Sequence, residues 1–436
     1  MPEVPDVPAA ELSDVEGFAP LDPLDPLDPL DPLDPLDPLD PLDPAAGAER
    51  TTRVEATDRS IDISVRRWGY RLDVMAEGDI ALAPDGSGVA RLSEGAYLDA
   101  TLRRGETRRV RFEGRDGEIT REFWLDGDAQ AWGRQADLFV AELMPILFRS
   151  TGISAPERVA WLLDNGGHEA LLAELAEIGS DSVHRIYTVL YAESGSLPSE
   201  YLRRLIALAG AQMGSDSQLR SALGRIYDLQ QPTGDDLVAL VEAGRSIGSD
   251  SQARALLESV QGGLSSTDEA LSAYLDLAGT IGSDSQMRAA LSSMMMRSDL
   301  ADAHVADIVE MAGRHIGSDS QLASLLRDAA PRVGSSDTLA RSYLDAAASI
   351  GSDSQASATL LALADRADLS VEAWRMLLGS ARSIGSDSQA ASLLTRIAPN
   401  LPRDELTLAA YERVLDGIGS RSQSLRAYEA VGLTPR

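Results

Sequence analysis

Apolar and polar residues alternate singly in much of the stretch from residue 51 to 128, and from residue 129 onward they recur at intervals of three and four. The alternating runs are IDISV (61–65), YRLDV (70–74), YLDATL (97–102), VRF (110–112) and ITREFWL (119–125), separated by the turn-forming PDGSG (84–88), RRGE (103–106) and GRDG (114–117). A period of two puts every second side chain on the same face of a strand, so this region predicts an antiparallel meander of about six strands, apolar on one face. Residues 136–148, ADLFVAELMPILF, then predict an apolar helix too short to span a membrane, and PERVAWLLD (156–164) follows it. The expected division is a β-sheet domain over 51–128, connecting helices over 129–165 and helical repeats over 166–436.

The repeats are marked by a hexapeptide. IGSDSQ begins at residues 247, 281, 316, 350 and 384, with the variants MGSDSQ at 213, IGSDSV at 178 and IGSRSQ at 418, so every step is 34 or 35 residues. A fixed period in this range is the signature of a stacked array. Before each hexapeptide runs one stripe of a helix about three turns long, as in Leu237, Leu240, Val241, Gly244 and Ile247. Where the step leading to a hexapeptide is 35, the last gap of the stripe is four rather than three (Ala209 to Met213, Ala312 to Ile316), so the extra residue lies at the end of that helix. After the hexapeptide a second stripe starts, with Leu223, Leu257, Leu291, Leu326, Leu360 and Leu394 each five residues past the Gln. The fold class expected is therefore multidomain α and β: a small antiparallel β-sheet domain, then an α-solenoid of about eight two-helix repeats.

The fold alone accounts for each letter of the hexapeptide. Ile closes the core stripe of the first helix, Gly supplies a left-handed residue after it, and Ser caps the second helix. Ser-Asp-Ser-Gln matches the capping box, and Asp falls where the helix dipole favours it. On this reading Ser249→Ala costs about 0.5–2 kcal/mol and Asp250→Asn much less. A functional alternative is a ridge: Asp181, Asp216, Asp250, Asp284, Asp319, Asp353 and Asp387 would form an evenly spaced acidic row facing water and open to a basic or extended partner, with Arg421 interrupting it in the last repeat.

Charge and composition narrow the function. The 436-residue chain has a formal net charge of −30, and about −13 of it falls within residues 1–50. That balance disfavours nucleic-acid phosphates and favours a basic protein or peptide. All 39 basic residues are Arg, which excludes phosphate-loop, Schiff-base and kinase lysines; cysteine is absent, which excludes disulfides and thiol chemistry. Leu-Asp-Pro occurs eight times over residues 21–44. Proline at every third position excludes an α-helix and favours polyproline II, about 75 Å long at about 3.1 Å per residue, so residues 1–50 read as a disordered acidic tether, with a docking tract as the alternative. No run of 18 apolar residues occurs and the first residues, MPEVPDVPAAEL, have no signal-peptide pattern. A cytoplasmic location without direct membrane insertion is expected, the alternative being the periplasmic part of an anchored protein.

Catalytic constellations are not evident. His168-Glu169 begins like the zinc-peptidase HExxH, but its fifth position is Leu172, and His184, His304 and His315 have no ligand spacing. No cofactor and no metal site is expected. Arg103, Arg104, Arg108, Arg109, Arg111 and Arg115 cluster at one hairpin, where Glu106, Glu113, Asp116 and Glu118 can pair with them, which favours a solvated face over a nucleic-acid patch. Met294–Met296 read as a soft edge of the core.

Taken together, GAYL (95–98), RRGETRRVRFEGRDGEITREFWLDG (103–127) and the repeated I-x-S-D turns resemble the soluble sheet-plus-repeat region of bacterial proteins linked to antibiotic-sensor-type membrane zinc metallopeptidases. The resemblance covers roughly residues 60–436, within the broad HEAT and tetratricopeptide class of solenoids. It implies an accessory, sensing or scaffolding role; the membrane helices and the full zinc motif are missing, so peptidase activity is not carried over. The expected function is a non-catalytic protein- or peptide-binding scaffold. The alternatives are a sensory or regulatory extracytoplasmic part of an envelope signalling system, a self-assembling structural protein, and an enzyme.

Overall fold

In a computed structural model the described residues are 51–57, 60–67, 69–264, 268–366 and 368–433. The Leu-Asp-Pro tract lies outside them. Residues 50–436 form one compact unit.

Nine strands precede the helices: β1 Thr51–Thr57, β2 Ser60–Arg67, β3 Tyr70–Glu77, β4 Ile80–Leu82, β5 Val89–Leu92, β6 Tyr97–Arg104, β7 Glu106–Arg115, β8 Glu118–Leu125 and β9 Asp128–Gln130. Seven make one antiparallel sheet in the order β1-β2-β3-β6-β7-β8-β9, and β4–β5 is a separate hairpin inserted between β3 and β6. The expected meander was short of strands because three-residue strands such as β4 and β9 are too brief to show a period of two. One face is apolar as expected. Leu72, Val74, Leu98, Ala100, Leu102, Val110, Phe112 and Phe123 are buried there, against α1 (Arg134–Thr151). The helix presents Phe139, Val140, Leu143, Met144, Leu147 and Phe148 at three- and four-residue intervals, the spacing that keeps one stripe against a flat sheet.

Sheet and array join at a polar seam. Helix α2 (Ala155–Glu177) begins after Ser154, whose left-handed φ of 56° is unusual for a residue with a Cβ. That geometry lets the Ser154 Oγ accept the Leu82 N–H at 2.9 Å. Arg158 of α2 donates to the Pro84 carbonyl at 2.7 Å, and the buried Glu174 takes a fork of bonds from Arg149 of α1 at 3.1 and 2.9 Å. Gly167, at φ 63°, breaks α2, and the second half is the first helix of the first repeat, close to the expected start at 166.

The array continues with α3 (Asp181–Glu193), α4 (Ser199–Gln212), α5 (Asp216–Gln230), α6 (Asp235–Ala243), α7 (Asp250–Val260), α8 (Asp268–Ala278), α9 (Asp284–Met295), α10 (Asp302–His315), α11 (Asp319–Val333), α12 (Asp337–Ala347), α13 (Asp353–Arg366), α14 (Val371–Ala381), α15 (Asp387–Ile397), α16 (Glu405–Leu415) and α17 (Arg421–Val431). From α2 on, even-numbered helices pack on even-numbered neighbours and odd on odd, so the repeats stack as two rows. No single helix among the described residues is long and apolar enough to cross a membrane.

The hexapeptide Ile is the hinge of each repeat. Its side chain is buried in every case, Ile281 to 2 % and the outermost, Ile418, to 8 % exposure. Burying such a side chain contributes about 1.5–3 kcal/mol. Its backbone is already extended, as at Ile247 (φ −77°, ψ 114°), and so is the following Ser249, giving a three-residue link between two helices. The 34- and 35-residue steps have a simple cause. Where the final gap is three, the hexapeptide N–H bonds three residues back, as Ile281 to Ala278 and Ile350 to Ala347. Where it is four, Met213 bonds to Ala209 and Ile316 to Ala312, a full α-helical closure. One extra residue is absorbed by changing a tight last turn into a regular one.

Candidate functional site

The row of aspartates runs along one edge of the array, but each carboxylate is bonded to the neighbouring repeat. Asp250 Oδ1 accepts the Gly282 N–H at 3.0 Å and Oδ2 the Ser283 N–H at 2.7 Å. Asp284 holds Gly317 and Ser318 (3.3 and 2.7 Å), and Asp387 holds Gly419 and Ser420 (3.2 and 2.7 Å). Asp181 accepts from Ser215 at 2.7 Å, Asp216 from Gly248 at 3.0 Å, Asp319 from Gly351 at 3.0 Å and Asp353 from Gly385 at 2.9 Å. All seven are half-buried. Each stands at the start of its own helix and binds amides just ahead of the next, so two helix N-termini share one negative charge. The expected water-facing ridge is therefore corrected to a clasp between repeats. Arg421, in the eighth turn, has no carboxylate with which to make the same contact.

Two further readings of the hexapeptide change. Its glycines are not left-handed: none of Gly179, Gly214, Gly248, Gly282, Gly317, Gly351, Gly385 and Gly419 has a positive φ. The six from Gly248 onward carry an N–H that meets the aspartate of the preceding repeat. The capping box is also not formed. Ser180, Ser215, Ser249, Ser283, Ser318, Ser386 and Ser420 occupy the cap position without capping through the side chain. Each hydroxyl instead meets the serine two residues on, Ser249 with Ser251 at 3.2 Å and Ser352 with Ser354 at 3.1 Å. Three of the Gln side chains turn to the preceding repeat, where Arg185 donates to Gln218 at 2.6 Å, Arg220 to Gln252 at 3.2 Å and Arg288 to Gln321 at 2.8 Å. Side-chain caps occur at the start of even-numbered helices, from Ser336, Ser370 and Asp404.

On the opposite edge the C-terminal carbonyls of odd-numbered helices and the loops after them are held by side chains of the next repeat. Arg332 donates to the carbonyls of Met295, Arg297 and Leu300 at 3.0, 2.6 and 2.9 Å. Arg297 reaches the Gln261 carbonyl, and Gln230 those of Ala192 and Gly195. Sequence reasoning missed these, although Arg297 and Arg332 each lie 16 residues past the Ile of their hexapeptides.

The hairpin arginines are paired, as expected, with Glu106 and Glu113 among the acids suggested, and also with Asp73, Asp99 and Glu142, which the sequence did not suggest. Arg109 and Arg111 cover Asp99, a carboxylate only 3 % exposed on the outer face of the sheet, and Arg103 meets Asp73. Arg108 pairs with Glu142 of α1 at 2.7 Å, Arg104 lies 3.8 Å from the same carboxylate, and Arg115 binds Glu113 at 2.9 Å. Opposite charges thus alternate across strands, where cross-strand neighbours meet.

The histidines are scattered. His168 shares a hydrogen bond of 2.9 Å with the Tyr191 hydroxyl, and Glu169 binds Arg204, whose guanidinium holds the carboxyl below its usual range. His184 is buried at the start of α3, 3.2 Å from the Thr188 hydroxyl, and burial pushes its pKa down to about 4. No group of three or more His, Asp or Glu among the described residues is placed to hold a metal ion. Met294 and Met295 are buried and Met296 is 78 % exposed, the edge of the core expected there.

One seam between even-numbered helices is open. Gly210 lies close enough to Ala243 that a Cβ would come within 3.1 Å of it, and Gly313 faces Ala346 at 2.8 Å in the same sense, so α4–α6 and α10–α12 meet almost backbone to backbone. Between α8 and α10 the packing is looser. Met311 stands at the place of Ala243 and Ala346, and its methyl faces Gly279. The result is a trough of about 380 Å³. Leu271 and Leu275 of α8 and Met311 of α10 form its apolar part; Ser272 and Asp276 line one wall, Asp307, Arg314 and His315 the other. No protein-family model matches this chain, and no curated protein matches it.

Proposed function

We propose that the chain is a non-catalytic scaffold that binds a protein or peptide along its helical array. The observation that carries this reading is the amphipathic trough between α8 and α10. Apolar side chains lie at its base, charged side chains of both signs at its walls, and it runs between helices in a row whose other seams include the tight Gly–Ala contacts of α4–α6 and α10–α12. Such a groove suits a peptide that inserts an apolar side chain and satisfies polar groups at the rim. The aspartate edge is committed to holding repeats together, so recognition is assigned to the row of even-numbered helices. The acidic net charge of −30 favours a basic partner.

The resemblance to the soluble region of membrane-peptidase-linked proteins supports an accessory role of the same kind and leaves the compartment open to fractionation of the native protein. The test of the scaffold reading compares proteins cross-linked to the intact chain with those cross-linked to a Leu275→Glu, Met311→Glu variant. Partners lost on substitution support binding in the trough; an unchanged set contradicts it.

A further inference from the structure

A second cavity, of about 310 Å³, lies where the sheet, the β4–β5 hairpin and α1 meet. Its lining includes Val89, Phe112, Ile119, Trp132 and Val140, with Arg121 beside them. Trp132 stands edge-on to Phe112, ring centroids 5.7 Å apart, and its indole N–H is fixed by Asp137 at 2.9 Å, so the ring is held in one orientation. The Arg121 guanidinium lies 5.4 Å over that ring. All six arginines of the neighbouring hairpin have carboxylate partners; Arg121, exposed on β8, has none among the described residues. The cavity thus offers an apolar floor, a fixed aromatic wall and an unpaired cation.

The same three chemistries are complemented by one turn of the sequence motif repeated over residues 21–44: Leu for the floor, Pro for the indole, Asp for the guanidinium. Aromatic-lined grooves take polyproline II segments because the ligand is already extended and loses little entropy on binding. Three residues per turn return like side chains to one side at about 9 Å intervals, so one turn fills a cavity of this size and the next begins outside it. We propose that this cavity binds a Leu-Asp-Pro turn from the tract of a second copy of the chain. Each chain has eight such turns, so a tract engaged at one turn in this cavity has seven more to offer. That excess favours links between copies and raises the apparent affinity of a weak single site.

Sedimentation of the intact chain over a wide range of concentration tests this. Wild type should associate as concentration rises, less so at high salt, and an added synthetic Leu-Asp-Pro repeat peptide should dissociate it. Arg121→Glu, on an exposed side chain, should weaken association by about tenfold or more, the equivalent of one charged contact. Replacing the eight tract aspartates by Arg should restore association in the Arg121→Glu chain. Circular dichroism checks that each variant is folded. Association that ignores Arg121→Glu and the peptide would overturn the proposal. So would a chain that stays monomeric at every concentration, including one in which a photo-cross-linker at Ile119 captures residues 21–44 of the same molecule.

Discussion

Along one edge of the array Asp216, Asp250, Asp284, Asp319, Asp353 and Asp387 make the same contact, each carboxylate taking a backbone N–H of the following Gly-Ser. Along the other, Gln230, Arg297 and Arg332 hold carbonyls of the preceding repeat, each in its own way. Both edges obey helix electrostatics, anions at N-termini and cations or amide donors at C-termini. They differ in what fixes them. The first joins two backbone segments of one shape through a short side chain, so a change of residue or spacing breaks it. The second uses long side chains that reach whichever carbonyl is near, so loops of different shape are accommodated. The letter-by-letter repetition of the hexapeptide therefore reports contact between repeats. The trough at α8–α10 follows from one exchange away from that edge, Met311 where the seams α4–α6 and α10–α12 have Ala243 and Ala346.

The comparison can be broken in several places. The largest effect is expected at the shared hinge: Ile281→Ala, at a site 2 % exposed, should lower the free energy of unfolding by about 2–5 kcal/mol in urea titrations. An effect below 1 kcal/mol, roughly that of an ordinary surface change, would mean that the stripe does not carry the stack.

Acid should weaken the first turn through His184. Its folded pKa is about 4 against 6.5 for the free side chain, so the unfolded chain binds the extra proton between these values. The associated stability is fully present above pH 6.5, falls as pH drops towards 4 and reaches a loss of roughly 3 kcal/mol. In His184→Gln this part of the pH dependence should vanish; an unchanged profile would assign it to other groups.

The clasp comes next. Asp250→Asn, Asp284→Asn and Asp387→Asn should each cost about 1.5–3 kcal/mol, because the amide turns a donor towards one of two N–H groups that need an acceptor. The three values should agree closely, as the three contacts do. A wide spread would show that the edge is less uniform than its geometry. Ser249→Ala should have the smallest effect, below about 0.5 kcal/mol, since its hydroxyl caps nothing.

Much of the fold was legible in the residues. The Ile and Leu stripes fix two helices per repeat, and the shift from a three- to a four-residue gap locates the extra residue, because each is a local consequence of helix geometry. The role of Asp250 was not, since a capping box and an inter-repeat clasp call for the same letters. Which occurs depends on where Ser249 and Asp250 point, and that is set by a neighbour about 32 residues away. One signal was available: capping requires Ser and Gln but not Asp, yet Asp recurs in seven of the eight turns. The partners of the hairpin arginines were only half legible for the same reason. Asp73, Asp99 and Glu142 come from other strands or from α1, distant in sequence and adjacent in register.

Amide hydrogen exchange read residue by residue tests the clasp most directly. Gly282 is exposed, so its N–H would exchange quickly unless Asp250 holds it. The account predicts slow exchange at Gly282 and Ser283 in the wild-type chain, and a marked acceleration at those two amides in Asp250→Asn, with Gly248, held by Asp216, unchanged. Rapid exchange at Gly282 in the wild type, or equal acceleration at Gly248 and Gly282 in the variant, would contradict it.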